Sequence, residues 1–115
     1  MRRLKQKFKP AFIGLKEAYL DHSIKVQMQL GIVALVVGFL LQLTFHEWMI
    51  VIVCIGSVVA SEIFNTCIER LCDLYTTKQN EEIRKIKDLA ASGVLVVSLM
   101  ALIVSILIFI LHITN

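Results

Sequence analysis

Two stretches of this chain run without a formal charge for longer than a water-soluble fold tolerates. Val26–His46 is 21 residues long, and Leu89–Asn115, its terminal carboxylate aside, is 27. A helix crossing the roughly 30 Å hydrocarbon core of a bilayer needs about 20 apolar residues, so each stretch suffices. A third block, Trp48–Ser61, is shorter, and Glu62 interrupts it. It reaches a full span, to about Ile68, only if Glu62 lies in or near the membrane. Of the 115 residues 57% are hydrophobic and 18% charged, against about a quarter charged in a soluble domain. The expectation is an all-α integral membrane protein with one domain over residues 1–115 and three spans at about 27–45, 48–70 and 90–113. A disordered protein, a disulfide scaffold and an ordinary water-soluble enzyme are excluded.

Charge orients the spans. Arg2, Arg3, Lys5, Lys7, Lys9, Lys16 and Lys25 precede the first, and Arg70, Lys78, Arg84, Lys85 and Lys87 lie between the second and third. No basic residue falls in the Phe45–Trp48 turn or after the third span. The positive-inside rule puts the N-terminus and the 70–88 segment in the cytoplasm and the first turn and C-terminus outside. The first apolar run begins too late, behind a long basic segment, for a cleaved signal peptide, so the whole chain is expected in the mature protein. Leu4, Phe8, Phe12, Leu15 and Tyr19 recur at three or four residues, one apolar stripe among lysines. That predicts an amphipathic surface helix over about 4–22, drawn to anionic membrane lipid; a disordered basic tail is the alternative. Pro10 suits a first turn, so the regular helix is expected to begin there. Phe45 and Trp48 fit an external aromatic belt, and Gly56 with Ala60 forms a small-xxx-small pair that favours helix packing. A cytoplasmic loop is expected over about 74–86, with a helix restarting near Glu81. No nucleic-acid partner is expected.

The residues that do not belong in an apolar helix are Glu62, Asn65, Glu69 and Asp73. Their spacings of three, four and four place them within an arc of roughly 80° on one helix face. Counted from Trp48, Glu62 sits roughly 21 Å deep and Glu69 roughly 31 Å, so Glu62 is within the membrane and Glu69 emerges. An intramembrane carboxylate is costly and marks a functional site by default. Carboxylates with a carboxamide suit Mg2+, which takes oxygen ligands and substrate phosphates, and a desolvated carboxylate suits general-base work. Opposite the row, Arg84-Lys85-Ile86-Lys87-Asp88 offers cations for phosphate. The row therefore suggests a metal-phosphate site facing the cytoplasm. Two other readings stand beside it: a small oligomeric transporter or channel whose ion path the row lines, and a non-catalytic assembly subunit in which the row pairs helices. The five glycines are isolated, so the phosphate-binding loops of common nucleotide folds are missing. Cys54, Cys67 and Cys72 show no metal-ligand spacing and read as free packing thiols. His46 and His112 read as interfacial residues at external helix ends.

Glu62-Ile63-Phe64-Asn65-Thr66-Cys67-Ile68-Glu69-Arg70-Leu71-Cys72-Asp73 resembles the signature E-x-x-N-S/T-A-I-E-x-x-x-D of the prokaryotic diacylglycerol kinase family, which includes the undecaprenol kinases of Gram-positive bacteria. Lys87-Asp88-Leu89-Ala90-Ala91-Ser92-Gly93-Val94-Leu95 resembles its K-D-x-A/S-A-A/G-A/G-V-L element. The resemblance implies an ATP- and Mg2+-dependent kinase of a lipid alcohol, diacylglycerol or undecaprenol, at the cytoplasmic face of the bacterial cell membrane. It also implies a homotrimer with sites shared between subunits. By motif position Glu62 would be the catalytic base, and Glu69 would hold Mg2+ and nucleotide. Asn65 and Asp73 would line the site; Lys87 and Asp88 would contact the nucleotide, Lys87 on its phosphates. Asp21-His22-Ser23-Ile24-Lys25 resembles the family's E-x-N/S-x-R/K segment, which carries a second metal-binding Glu. Counting from Gly14 moves that position to His22, but a carboxylate fits Mg2+, so Asp21 is the expected ligand. Cys67 replaces the usual Ala, and Gln27 stands where other members carry Glu or His. Nothing in the spans distinguishes diacylglycerol from undecaprenol.

Overall fold

Four helices linked by short connections make up residues 2–114, which the computed structural model describes; Met1 and Asn115, the ends of the expected 1–115 domain, lie outside the described residues. The helices are α1 (Arg2–Tyr19), α2 (His22–Leu41), α3 (Phe45–Tyr75) and α4 (Glu81–Thr114). The last three are long and apolar enough to cross a membrane.

Local side-chain chemistry sets where each helix starts. Asp21 is the N-cap of α2, with extended backbone (φ −76°, ψ 130°). Its Oδ1 accepts the N–H of Ser23 at 3.1 Å and of Ile24 at 3.3 Å. At the far end Gln42 adopts the left-handed region (φ 55°, ψ 57°), where a non-glycine residue is uncommon. The N–H groups of Gln42 and Leu43 then reach back to Phe39 and Gly38, and the chain reverses. Thr44 opens α3 with a capping box: the Thr44 N–H donates to Glu47 Oε1 at 2.9 Å, and the Glu47 N–H donates to Thr44 Oγ1 at 3.3 Å. Asn80 opens α4, its Oδ1 accepting the N–H groups of Glu82 and Ile83 at 2.9 and 3.2 Å.

These caps shift the expected boundaries. The turn is Gln42–Thr44, not Phe45–Trp48, and α2 ends at Leu41 rather than near 45. The uncharged run continues through Leu43 and Phe45 and hides the Thr44-Phe45-His46-Glu47 cap. α3 runs on to Tyr75, so the loop shrinks from about 74–86 to residues 76–80, and α4 begins at Glu81. Helices persist past their apolar segments because the intrahelical backbone bonds continue unbroken into water, which can satisfy the last free N–H and C=O groups. Pro10 lies inside α1, not in its first turn. The Arg, Lys, Leu and Gln residues before it are good helix formers, and they offset a missing backbone hydrogen bond and the crowding of the proline ring against the preceding turn.

α3 is the central helix, packed most extensively on α4 and then on α2, while α1 leans on α2. The protomer is flat, with extents of 54 × 43 × 19 Å. Among the described residues the buried apolar side chains are Ala18, Ile24 and Cys72. Leu, Ile, Val and Phe side chains cover the outer faces of α2, α3 and α4, a surface that lipid or other helices must cover. Close approach occurs at glycines of α2 rather than at the expected pair on α3. A Cβ at Gly31 would meet Ile55 Cγ2 at 2.8 Å, and one at Gly38 would meet Trp48 at 3.0 Å. Nothing lies within 4 Å of a Cβ at Gly56, so the Gly56–Ala60 pair faces away from the chain's other helices. His112 and Glu47 link the end of α4 to the start of α3, at 3.5 Å, a pairing the interfacial reading of His112 did not include.

Gly31→Ala should cost about 1–3 kcal/mol, because the branched Ile55 side chain cannot swing aside and the helices must shift. Gly14→Ala, with open space around it, should stabilise or leave stability unchanged. Reversible unfolding in detergent micelles measures both.

Candidate functional site

The polar row of α3 lies where α2 begins and α4 starts. Glu62 and Asn65 are half-buried, and Glu69 and Asp73 are exposed. One helical turn separates Asn65 from Glu69, and the Asn65 Nδ2 donates to Glu69 Oε1 at 3.0 Å. That bond fixes the carboxamide so that Asn65 Oδ1 is buried without a partner. A buried acceptor of this kind calls for an explanation, and a cation or a hydroxyl donor would satisfy it.

Glu69 shares the helix face of Glu62 two turns further on, and Asp21, at the start of α2, comes to α3 beside Arg70, whose guanidinium is 4.0 Å from its Oδ2. The N-cap of α2 thus brings a fourth carboxylate, Asp21, beside the three of the row; His22, the other register, is exposed on the first turn of α2. Asp21 uses Oδ1 for the cap, so Oδ2 makes no backbone hydrogen bond and faces Arg70 at 4.0 Å. Among the described residues no three His, Cys, Asp or Glu side chains form a closed metal cage. Mg2+ does not need one, since it is commonly held by one or two carboxylates plus waters and substrate phosphates. Asp21, Glu69 and the orphaned Asn65 Oδ1 are hard oxygen donors of the kind it selects.

The far end of the row meets α4. Lys87 Nζ donates to Asp73 Oδ1 at 2.7 Å, joining α3 to α4. Lys87 precedes the uncharged run that starts at Leu89, and the hydrogen bond it donates to Asp73 raises its pKa above the ordinary lysine value. Asp88 is rotated about 100° from Lys87 around α4. It stands apart from the row and accepts from Arg84 at 3.0 Å. Gln27 is also apart, lining a cavity of about 360 Å3 with Gly31, Cys54, Ser98 and Ser105.

One charged residue was not among those singled out by spacing. Arg70, next to Glu69, lies 3.7 Å from Glu17 Oε1 on α1 and 4.0 Å from Asp21 Oδ2. It is the only Lys or Arg between Lys25 and Lys78, a signal available from the sequence. Its partners are far away along the chain, so no helical periodicity points to them. Beside it, Ala11, Leu15, Ala18, Ile24, Ile63 and Thr66 line a mostly apolar cavity of about 360 Å3 between α1, α2 and α3.

Comparison with known proteins matches residues 9–109 to a family described as prokaryotic diacylglycerol kinase. The chain is also 40% identical over 75 residues to an undecaprenol kinase of Bacillus subtilis (strain 168). That alignment covers 65% of this chain and 61% of the relative's length.

The Asp73–Lys87 pair is solvent-exposed, and exposed ion pairs contribute roughly 0–1 kcal/mol. A double-mutant cycle with Asp73→Asn and Lys87→Gln, read by unfolding in micelles, should give a coupling below about 1 kcal/mol. Any large functional loss in these variants would then reflect chemistry and not collapse of the α3–α4 packing.

Proposed function

The chain belongs to the prokaryotic diacylglycerol kinase family, and on that footing we propose that it is an ATP-dependent lipid kinase. Its acceptor is a membrane lipid alcohol, undecaprenol ahead of diacylglycerol, phosphorylated at the cytoplasmic surface of the bacterial cell membrane. The observation that carries the proposal is the polar row of α3 at the end of three apolar helices, with Asn65 bonded to Glu69, Asp21 brought beside Arg70 at 4.0 Å, and Lys87 bonded to Asp73. An amphiphile held by its tail in the bilayer presents its hydroxyl at that level, and ATP arrives from the water beside it.

Glu62, the deepest acid, takes the proton from the lipid hydroxyl as that oxygen bonds to the γ-phosphorus. The bond from the γ-phosphorus to the β–γ bridging oxygen breaks, ADP leaves, and Glu62 passes the proton to water. Asp21 and Glu69 would hold Mg2+, and the unpartnered Asn65 Oδ1 would be a further oxygen donor for it. Bound there, the ion would neutralise charge on the transferring phosphoryl group. Lys87 contacts the phosphates, and Asp73 aims its ammonium. Asp88, anchored by Arg84, contacts the nucleotide from the outer side. Phosphoryl transfer is mostly positioning and charge stabilisation, so a base, a lysine and two metal-binding carboxylates suffice.

The flat protomer supports a homotrimer with shared sites: the row is open on one side, and apolar faces remain uncovered. The N-terminus faces the cytoplasm, because all twelve Lys and Arg residues lie on that side. α1 lies along the interface, with Leu4, Phe8, Phe12 and Leu15 exposed for lipid and its lysines for anionic headgroups. An ion path finds no support, since α3 carries no charged residue between Glu47 and Glu62. Undecaprenol is ranked first because the 40% identical relative is an undecaprenol kinase.

Purified protein should transfer labelled phosphate from ATP to undecaprenol faster than to diacylglycerol in the same micelles at matched surface concentration, and chelation of divalent cations should abolish transfer. Faster transfer to diacylglycerol would reverse the acceptor assignment, and transfer to neither lipid would remove the kinase reading.

A further inference from the structure

The mechanism above leaves Arg70 without a task. Its guanidinium bridges α1 and the α2 cap, 3.7 Å from Glu17 Oε1 and 4.0 Å from Asp21 Oδ2. Both contacts are longer than hydrogen bonds, so their effect is that of charge rather than of fixed geometry. The Asp21 side chain is 26% exposed against 62% for Glu17. Water therefore screens the Arg70–Asp21 pair less than the Arg70–Glu17 pair. Asp21 Oδ1 already accepts two backbone N–H groups, so the oxygen beside Arg70 is the one a cation would use.

We propose that Arg70 competes with the divalent cation for Asp21 and so sets the cation concentration at which the site fills. The inference rests on the reading of Asp21 as a metal ligand. Glu17 is the other half of the device. It draws the guanidinium toward α1, and a cation arriving at Asp21 leaves Arg70 with Glu17 as its remaining partner. The arrangement also limits repulsion among Asp21, Glu62 and Glu69, which gather three negative charges at one place. A positive charge near the cation opposes its binding, so removing that charge tightens it, by roughly threefold to tenfold for a separation of about 7 Å in a water-like medium.

The test is Mn2+ binding to the full-length protein in micelles without nucleotide, followed by electron paramagnetic resonance of the free ion. Arg70→Gln should bind Mn2+ roughly threefold to tenfold more tightly than wild type. Arg70→Lys, which keeps the charge, should stay within about twofold. Glu17→Gln should weaken binding by about twofold to threefold, because Arg70 then has only Asp21 to engage. If Arg70 were merely a structural clasp, Arg70→Gln and Glu17→Gln would shift binding in the same direction. Unchanged or weaker binding in Arg70→Gln would overturn the proposal. Asp21→Asn separates the premise from the inference: it should weaken Mn2+ binding at least about tenfold. If it does not, the ligand reading of Asp21 fails and the competition with it; if it does while Arg70→Gln changes nothing, only the competition fails.

Discussion

The Asp21 carboxylate links the helical framework to the site. One oxygen caps α2 and so fixes where the first long apolar helix begins. The cap also sets the corner at which the chain leaves α1, and it carries the carboxylate's second oxygen to the flank of α3. There Asp21 meets Arg70. A helix N-terminus favours a negative charge, so the folding requirement and the proposed ligand role call for the same group in the same place. A serine or asparagine would cap as well but would bring no charge to the row.

The second constraint is the scarcity of a protein core. With Ala18, Ile24 and Cys72 as the buried apolar side chains, the protomer relies on its surroundings for burial. Every backbone group in a bilayer must be satisfied within the chain, and long helices meet that demand. Polar side chains must then collect at the helix ends unless a function holds them deeper. The row on α3 is the exception, and neighbouring elements serve it: the cap of α2 brings Asp21 beside Arg70, and α4 brings Lys87 to Asp73.

Much of this could be read from residues alone, and what could not has a physical reason. The three long apolar helices follow from uncharged runs, and the shared face of Glu62, Asn65, Glu69 and Asp73 follows from spacing on α3. Helix ends are hidden in the sequence where a cap lies inside an apolar run, as at Thr44 and Glu47, because hydropathy averages over residues while a cap depends on two of them. Pro10 was expected to start a helix and instead sits within one, tolerated by good helix formers on its N-terminal side. Gly56 looked like the packing glycine, but contact was made at Gly31 and Gly38, since helix rotation is not encoded in a small-xxx-small pair. Asp73 and Lys87 are fourteen residues apart, and the pair shows only when α3 and α4 lie side by side. The Arg70 contacts are hidden for the same reason: Glu17 and Asp21 lie far from it along the chain.

In the proposed reaction Glu62 takes the lipid hydroxyl's proton, and the other roles on α3 depend on it. The direct measurement is the rate of labelled phosphate transfer from ATP to undecaprenol by Glu62→Gln, a variant of nearly equal size, in protein whose unfolding in micelles matches wild type. Loss of a general base should slow transfer by about 10²- to 10⁴-fold. A rate within about twofold of wild type would contradict the assignment and return the row on α3 to a role in assembly.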